Sequence, residues 1–105
     1  MNANLNIIKE NILQMLPDAT IYLFGSRAKG TNRANSDYDI LIVTPYVITV
    51  EWKIKNYSIL LQNIVKRVQI VCDLHFYDHD QQKFDLNIND ETKIAHWVIN
   101  HGIKL

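Results

Sequence analysis

GSRAKGTNRANSDYD occupies residues 25–39, between the apolar stretches IYLF and ILIV. Two of the chain's three glycines, Gly25 and Gly30, fall inside it, and two aspartates, Asp37 and Asp39, stand against the second apolar run. TIYLF supplies β-branched and aromatic residues for a short strand ending at Gly25. YDILIVT supplies a second strand, which begins within the stretch and ends before Pro45. Gly25 lets the backbone approach a ligand closely, and Ser26 offers a hydroxyl and a backbone N–H where SRAK begins a short helix. A helix start of this kind attracts anions, and Arg27 and Lys29 add charge-assisted donors suited to phosphate oxygens. Turns that simply join a strand to a helix use the same Gly-Ser pair, and Arg27, Lys29 and Arg33 also read as a solvated basic loop.

The aspartates bring a second chemistry. Two apart at a strand start, Asp37 and Asp39 send their side chains from one face, roughly 7 Å apart at Cα. One or two Mg²⁺ ions can bridge such a pair to phosphate oxygens. The alternative is a turn, NSDYD, in which Asp37 bonds its own backbone and Asp39 is solvated. Asp73 adds a third carboxylate within the apolar run IVCDLHF, on the strand face of Val71 and His75. Read as part of a central strand, it needs compensation, either by a cation shared with Asp37 and Asp39 or by an ion pair with Arg27, Lys29 or Lys66. His75 can reach the same site from that face, or it is a strand residue satisfied by its neighbours. His79, His96 and His101 show no metal-ligand spacing.

The rest of the chain supplies the frame. Leu5, Ile8, Ile12, Met15 and Leu16 recur at helical spacing and stop at Pro17. A long helix is expected from Glu51 to Val68, with Ile54, Tyr57, Leu61, Ile64 and Val68 on the face packed against the sheet. QIVCDLHFY reads as a third strand. Asn89 or Asp90 can cap a last helix through His101, followed by Gly102 and a short IKL strand. The expected fold class is α/β, a compact sheet, mixed or antiparallel, with helices packed mainly on one face and the first two strands antiparallel. No repeat or linker marks a boundary, so residues 1–105 are expected to form a single domain.

Composition narrows the function classes. At 48% hydrophobic content the chain is a folding sequence, and eleven basic against eleven acidic residues leave no bulk field for nucleic acid or membrane. No direct nucleic-acid contact is expected, and phosphate binding must be local. The single cysteine, Cys72, lies in an apolar run and suits a buried thiol in a reducing cytoplasm. No apolar run approaches the roughly 18 residues of a membrane span.

Gly25-Ser26, ten intervening residues and Asp37-Tyr38-Asp39 resemble the GS-x10-D-x-D signature of the nucleotidyltransferase superfamily that includes DNA polymerase beta. The short length and the closing IAHWVINHGIKL are similar to its minimal (MNT) branch. The resemblance implies a nucleotidyltransferase-type fold, a Gly25-Ser26 turn that holds phosphates, and a site for Mg²⁺, with two ions expected, and ATP or another nucleoside triphosphate. It implies that Asp37 and Asp39 ligate metal and that Asp73 is the third acidic residue, helping to activate an acceptor hydroxyl. Members of this kind pair with a small helical HEPN protein as toxin and antitoxin and modify it with AMP. The expectation is therefore a cytoplasmic antitoxin that transfers a nucleoside monophosphate to a protein partner, in a homo- or hetero-oligomer. Two other readings fit the residues. One is a non-catalytic nucleotide-binding module that blocks its partner by contact; the other is an antibiotic-modifying nucleotidyltransferase, for which little chain is left to build a drug pocket.

On the long helix, Trp52 and Ile59 point away from the expected core face, among Lys55, Asn56, Asn63 and Lys66. An aromatic anchor with an aliphatic neighbour in a polar rim suits a partner surface. The alternative is that Trp52 folds under the PYVITV loop at the helix start.

Overall fold

The computed structural model describes residues 2–82 and 94–105. The first helix, α1 (Ala3–Met15), is capped by Asn2, whose side chain accepts from the Leu5 N–H at 2.8 Å. It buries Leu5, Ile8 and Ile12 at helical spacing, with Leu16 buried just past its end. Strand β1 (Thr20–Phe24) follows, then a single turn, α2 (Ser26–Lys29), closed by Gly30 in the left-handed conformation. Strand β2 (Tyr38–Val43) leads to α3 (Val50–Val68), capped by the Thr49 hydroxyl. Strand β3 (Cys72–Tyr77), helix α4 (Ile94–His101) and a two-residue strand β4 (Ile103–Lys104) complete the described elements. The expected cap of the last helix at Asn89 or Asp90 lies outside the described residues.

The four strands form one mixed sheet in the order β3-β2-β1-β4. β1 is antiparallel to β2 and β4, while β2 and β3 are parallel, joined by the α3 crossover that parallel pairing requires. Alternation along each strand then sorts the side chains. Ile21, Leu23, Tyr38, Ile40, Ile42, Cys72 and Leu74 form one layer with α1 and α3. Phe24, Leu41 and Tyr77 face the other side, where Ala95 and Val98 of α4 cover them. Two long helices therefore share one face, as the fold class anticipates, and the short α4 lies on the opposite one. Gly102 permits that docking, because a Cβ there would stand 2.7 Å from the Val98 carbonyl and 2.9 Å from that of Leu23.

Three sequence expectations change. β3 is an edge strand, not a central one, and Asp73 is exposed on it; its carboxylate reaches solvent and needs no compensating buried charge. On α3 the buried face is Leu60, Ile64 and Val68, with Tyr57 and Leu61 beside it, while Ile54 is 79% exposed. Trp52 turns inward, its ring edge-on to Phe76 at 6.0 Å between centroids, and only Ile59 of the proposed surface pair stays half exposed. The physical reason is leverage: at the first turn of α3 a long indole bends back over the edge strand, where Phe76 also receives Tyr57. The two residues do not make one open patch. Among the described residues no helix is long and apolar enough to cross a membrane.

Candidate active site

The site lies where β1 ends and β2 and β3 begin, beside the Gly25 turn, on the α4 side of the sheet. Phe24 pairs in register with Asp39, and Asp39 with Asp73 across the parallel ladder. Asp39, Leu41 and Val43 share one face of β2, and Asp73, His75 and Tyr77 share the same face of β3. The two carboxylates are thus brought side by side by strand register alone. His75 joins them: its Nε2 lies 3.1 Å from Asp73 Oδ2, and one ligand atom from each of Asp39, Asp73 and His75 falls within 4.8 Å of the others. Phe24 packs against the His75 ring at 5.4 Å.

Gly25 is tied to this cluster. Its φ of 75° is a conformation that side chains disfavour, and a Cβ at that position would collide with the Asp39 carboxylate. The glycine therefore makes room for an acidic side chain of the site, a demand separate from close approach of a ligand. Burial, then the charges of Asp73 and Asp37, raise the Asp39 carboxyl above its ordinary range, with His75 opposing them. Such a frustrated carboxylate group is what a divalent cation would relieve, and carboxylate oxygens suit Mg²⁺. Asp39 and Asp73 fit that role.

The other expected residues are placed as follows. Asp37 is exposed and precedes β2, outside the tight three-residue cluster, although its charge is felt at Asp39. Ser26 opens α2, and its carbonyl accepts from the Thr31 N–H at 3.0 Å. Lys29 is exposed, with Nζ 5.7 Å from the Trp97 ring centroid. Arg27 is engaged elsewhere: Nε donates to the Ser36 carbonyl at 2.9 Å, Nη2 donates to that of Ala34 at 3.0 Å, and the guanidinium sits 4.1 Å from the Tyr38 ring centroid. Sequence reasoning did not commit to His75, although its spacing of two from Asp73 was the signal that puts both on one strand face. It gave no hint of the Arg27 contacts, because they depend on the path of the loop rather than on residue type. Burial pushes the Cys72 thiol up to about 11, with Asp37 adding and Arg27 opposing, so it stays protonated and takes no part.

The nucleotidyltransferase domain family matches residues 5–97 of the chain. The chain belongs to this family. A 40-residue stretch, 38% of the chain, is 42% identical to "Probable protein adenylyltransferase MntA" of Haemophilus influenzae. That match spans 35% of the relative's length. Among solved structures the fold resembles a toxin-antitoxin with AMP-PNP (TM-score 0.66, 22% identity, covering 98% of this chain and 72% of that one). It also resembles a mutant of the toxin-antitoxin MntA-HpeT (TM-score 0.66, 24% identity, covering 99% and 72%). At these identities the structural likeness establishes the fold.

Proposed function

We propose that the chain is a Mg²⁺-dependent nucleotidyltransferase that moves AMP from ATP to a hydroxyl on a HEPN-type helical protein encoded nearby, as the antitoxin of that pair in the cytoplasm. The observation that carries the reading is the register pairing of Asp39 with Asp73, with Gly25 shaped around the Asp39 carboxylate. The adenylyltransferase named among the relatives and the toxin-antitoxin neighbours support the choice of nucleotide and partner.

In this reaction the acceptor oxygen bonds to the α-phosphorus as the bond to pyrophosphate breaks. Mg²⁺ bound by Asp39, Asp73 and Asp37 would neutralise triphosphate charge and lower the acceptor's pKa. Asp73, exposed on the edge strand, stands where an incoming hydroxyl can hand over its proton. Its partner His75 holds that carboxylate in one orientation. The Gly25-Ser26 turn and Lys29 would hold the phosphates, and alignment and charge rather than a protein nucleophile carry the chemistry.

Intact-mass analysis of the helical partner after incubation with this chain, Mg²⁺ and each triphosphate in turn tests the proposal. A mass gain of one nucleoside monophosphate, greatest with ATP, supports it. A tight complex whose partner gains no mass contradicts it and selects the non-catalytic binding module.

A further inference from the structure

The ten residues between Ser26 and Asp37 run mostly exposed, with no strand or helix after Gly30. Yet they set where Asp37 stands. Thr31 ties the start of the segment to α2, its N–H and hydroxyl both donating to the Ser26 carbonyl, and Asn32 Nδ2 donates to the Arg33 carbonyl at 3.2 Å. Further along, the Arg33 N–H donates to the Ser36 hydroxyl at 2.9 Å, and the Ser36 N–H to the Arg33 carbonyl at 3.1 Å. That turn is closed on itself and does not fix its position relative to the sheet. Arg27 supplies the missing attachment, because the fork of its guanidinium takes the Ala34 and Ser36 carbonyls together.

The same guanidinium lies on Tyr38, the residue between the two aspartates. Tyr38 is 2% exposed and held on three further sides: its hydroxyl accepts from Asn4 Nδ2 at 3.2 Å, its N–H donates to the Val71 carbonyl at 2.9 Å, and its ring joins the α1 and α3 layer. Alternation sends Asp39 to the opposite face. Arg27 is therefore on the far side of β2 from the Asp39 carboxylate, with Nε and Nη2 each donating to a backbone carbonyl.

We propose that Arg27 is a positioning residue rather than a phosphate ligand: it fastens the loop at Ala34 and Ser36 to the buried Tyr38 and so holds Asp37 in place relative to Asp39. The inference rests on the reading of Asp37 and Asp39 as metal ligands. Lys at this position keeps the charge but loses the planar fork, so Arg27→Lys separates the two roles.

The experiment uses the full chain, with circular dichroism to confirm folding. Mn²⁺ binding without nucleotide is followed by electron paramagnetic resonance, AMP-PNP binding is titrated in EDTA, and hydrogen exchange is read at the amides of residues 34–37. Arg27→Lys is expected to weaken Mn²⁺ binding by about tenfold, the scale of losing a residue that orients a metal ligand. It should speed exchange at those amides and leave AMP-PNP affinity in EDTA within about twofold of wild type. Retained Mn²⁺ affinity and loop protection with lost AMP-PNP affinity would overturn the inference and make Arg27 a phosphate ligand. In the wild-type chain, which needs no variant to fold, the Arg27 Nε–H resonance should be slow to exchange and unmoved by AMP-PNP; its displacement by nucleotide would also overturn the inference. A wild type that binds neither Mn²⁺ nor AMP-PNP sinks the proposed function, and the exchange data still decide whether Arg27 holds the loop.

Discussion

Asp39 and Asp73 are register partners on adjacent parallel strands, and their carboxylates leave the same face of the sheet. Neighbouring like charges in a ladder are unfavourable by themselves, and here Asp37 adds a third. The arrangement stores electrostatic repulsion that a cation can release, so the pair opposes rather than supports the stability of the metal-free sheet.

The repulsion has a definite pH signature. Burial and the neighbouring carboxylates raise the Asp39 carboxyl above 3.8, its ordinary value. The folded state then keeps a proton that the unfolded chain releases, so the Asp39 contribution to stability is complete below 3.8 and is lost as pH rises through the raised folded value. Asp39→Asn should remove that part of the slope and raise the melting temperature of the metal-free protein at neutral pH. Thermal melts across pH check this; a variant less stable than wild type without metal would mean that the Asp39 carboxylate holds the fold together.

Gly25→Ala meets two obstacles, a positive φ and the Asp39 carboxylate. The strained backbone is expected to cost about 1–3 kcal/mol, and the displaced carboxylate should lower Mn²⁺ affinity. Ser26→Ala removes only a hydroxyl and should leave both nearly unchanged. Denaturant melts with Mn²⁺ titration on the two variants distinguish them, and wild-type Mn²⁺ affinity in Gly25→Ala would detach the glycine from the carboxylate.

On α3 the two residues Trp52 and Ile54 should respond oppositely to truncation. Trp52→Ala removes a half-buried ring that meets Phe76, with a loss of about 1–2 kcal/mol, less than for a fully buried indole. Ile54→Ser touches an exposed side chain and should stay within about 0.5 kcal/mol of wild type. Urea denaturation measures both; equal losses would mean that the helix is rotated from the position described.

Cys72 offers an independent probe of the sheet beneath the site. With its thiol pushed up to about 11 by burial, it should resist alkylation near neutral pH in the native protein and react fully once denaturant is added. Rapid labelling of the native chain would show that the start of β3 opens readily.

Much of the frame was legible because its punctuation is local. Pro17, Gly25, Pro45 and Gly102 bound elements that the structure places within a residue or two of expectation. The alternation in CDLHFY likewise put Asp73 and His75 on one face and Cys72 and Leu74 on the other. What local pattern does not contain is strand order: the apolar run around Asp73 implies a central strand, whereas β3 lies at the edge. Helical spacing in α3 located an apolar sector but missed Leu60, since the azimuth that meets the sheet is decided by α1 and β3. The partners of Arg27 were hidden for a related reason: two of its three contacts are with backbone carbonyls and a loop path that residue types do not encode.

The central claim is transfer of the α-phosphoryl group with its nucleoside, dependent on the paired carboxylates. Incubating the chain and the proposed helical partner with Mg²⁺ and ATP labelled at either the α- or the γ-phosphate tests it most directly. The account predicts that α-label becomes covalently attached to the partner, that γ-label appears only in pyrophosphate, and that Asp39→Asn abolishes both while leaving the chain folded. Label retained from γ-phosphate, or a complex that forms without covalent label from either position, would contradict it.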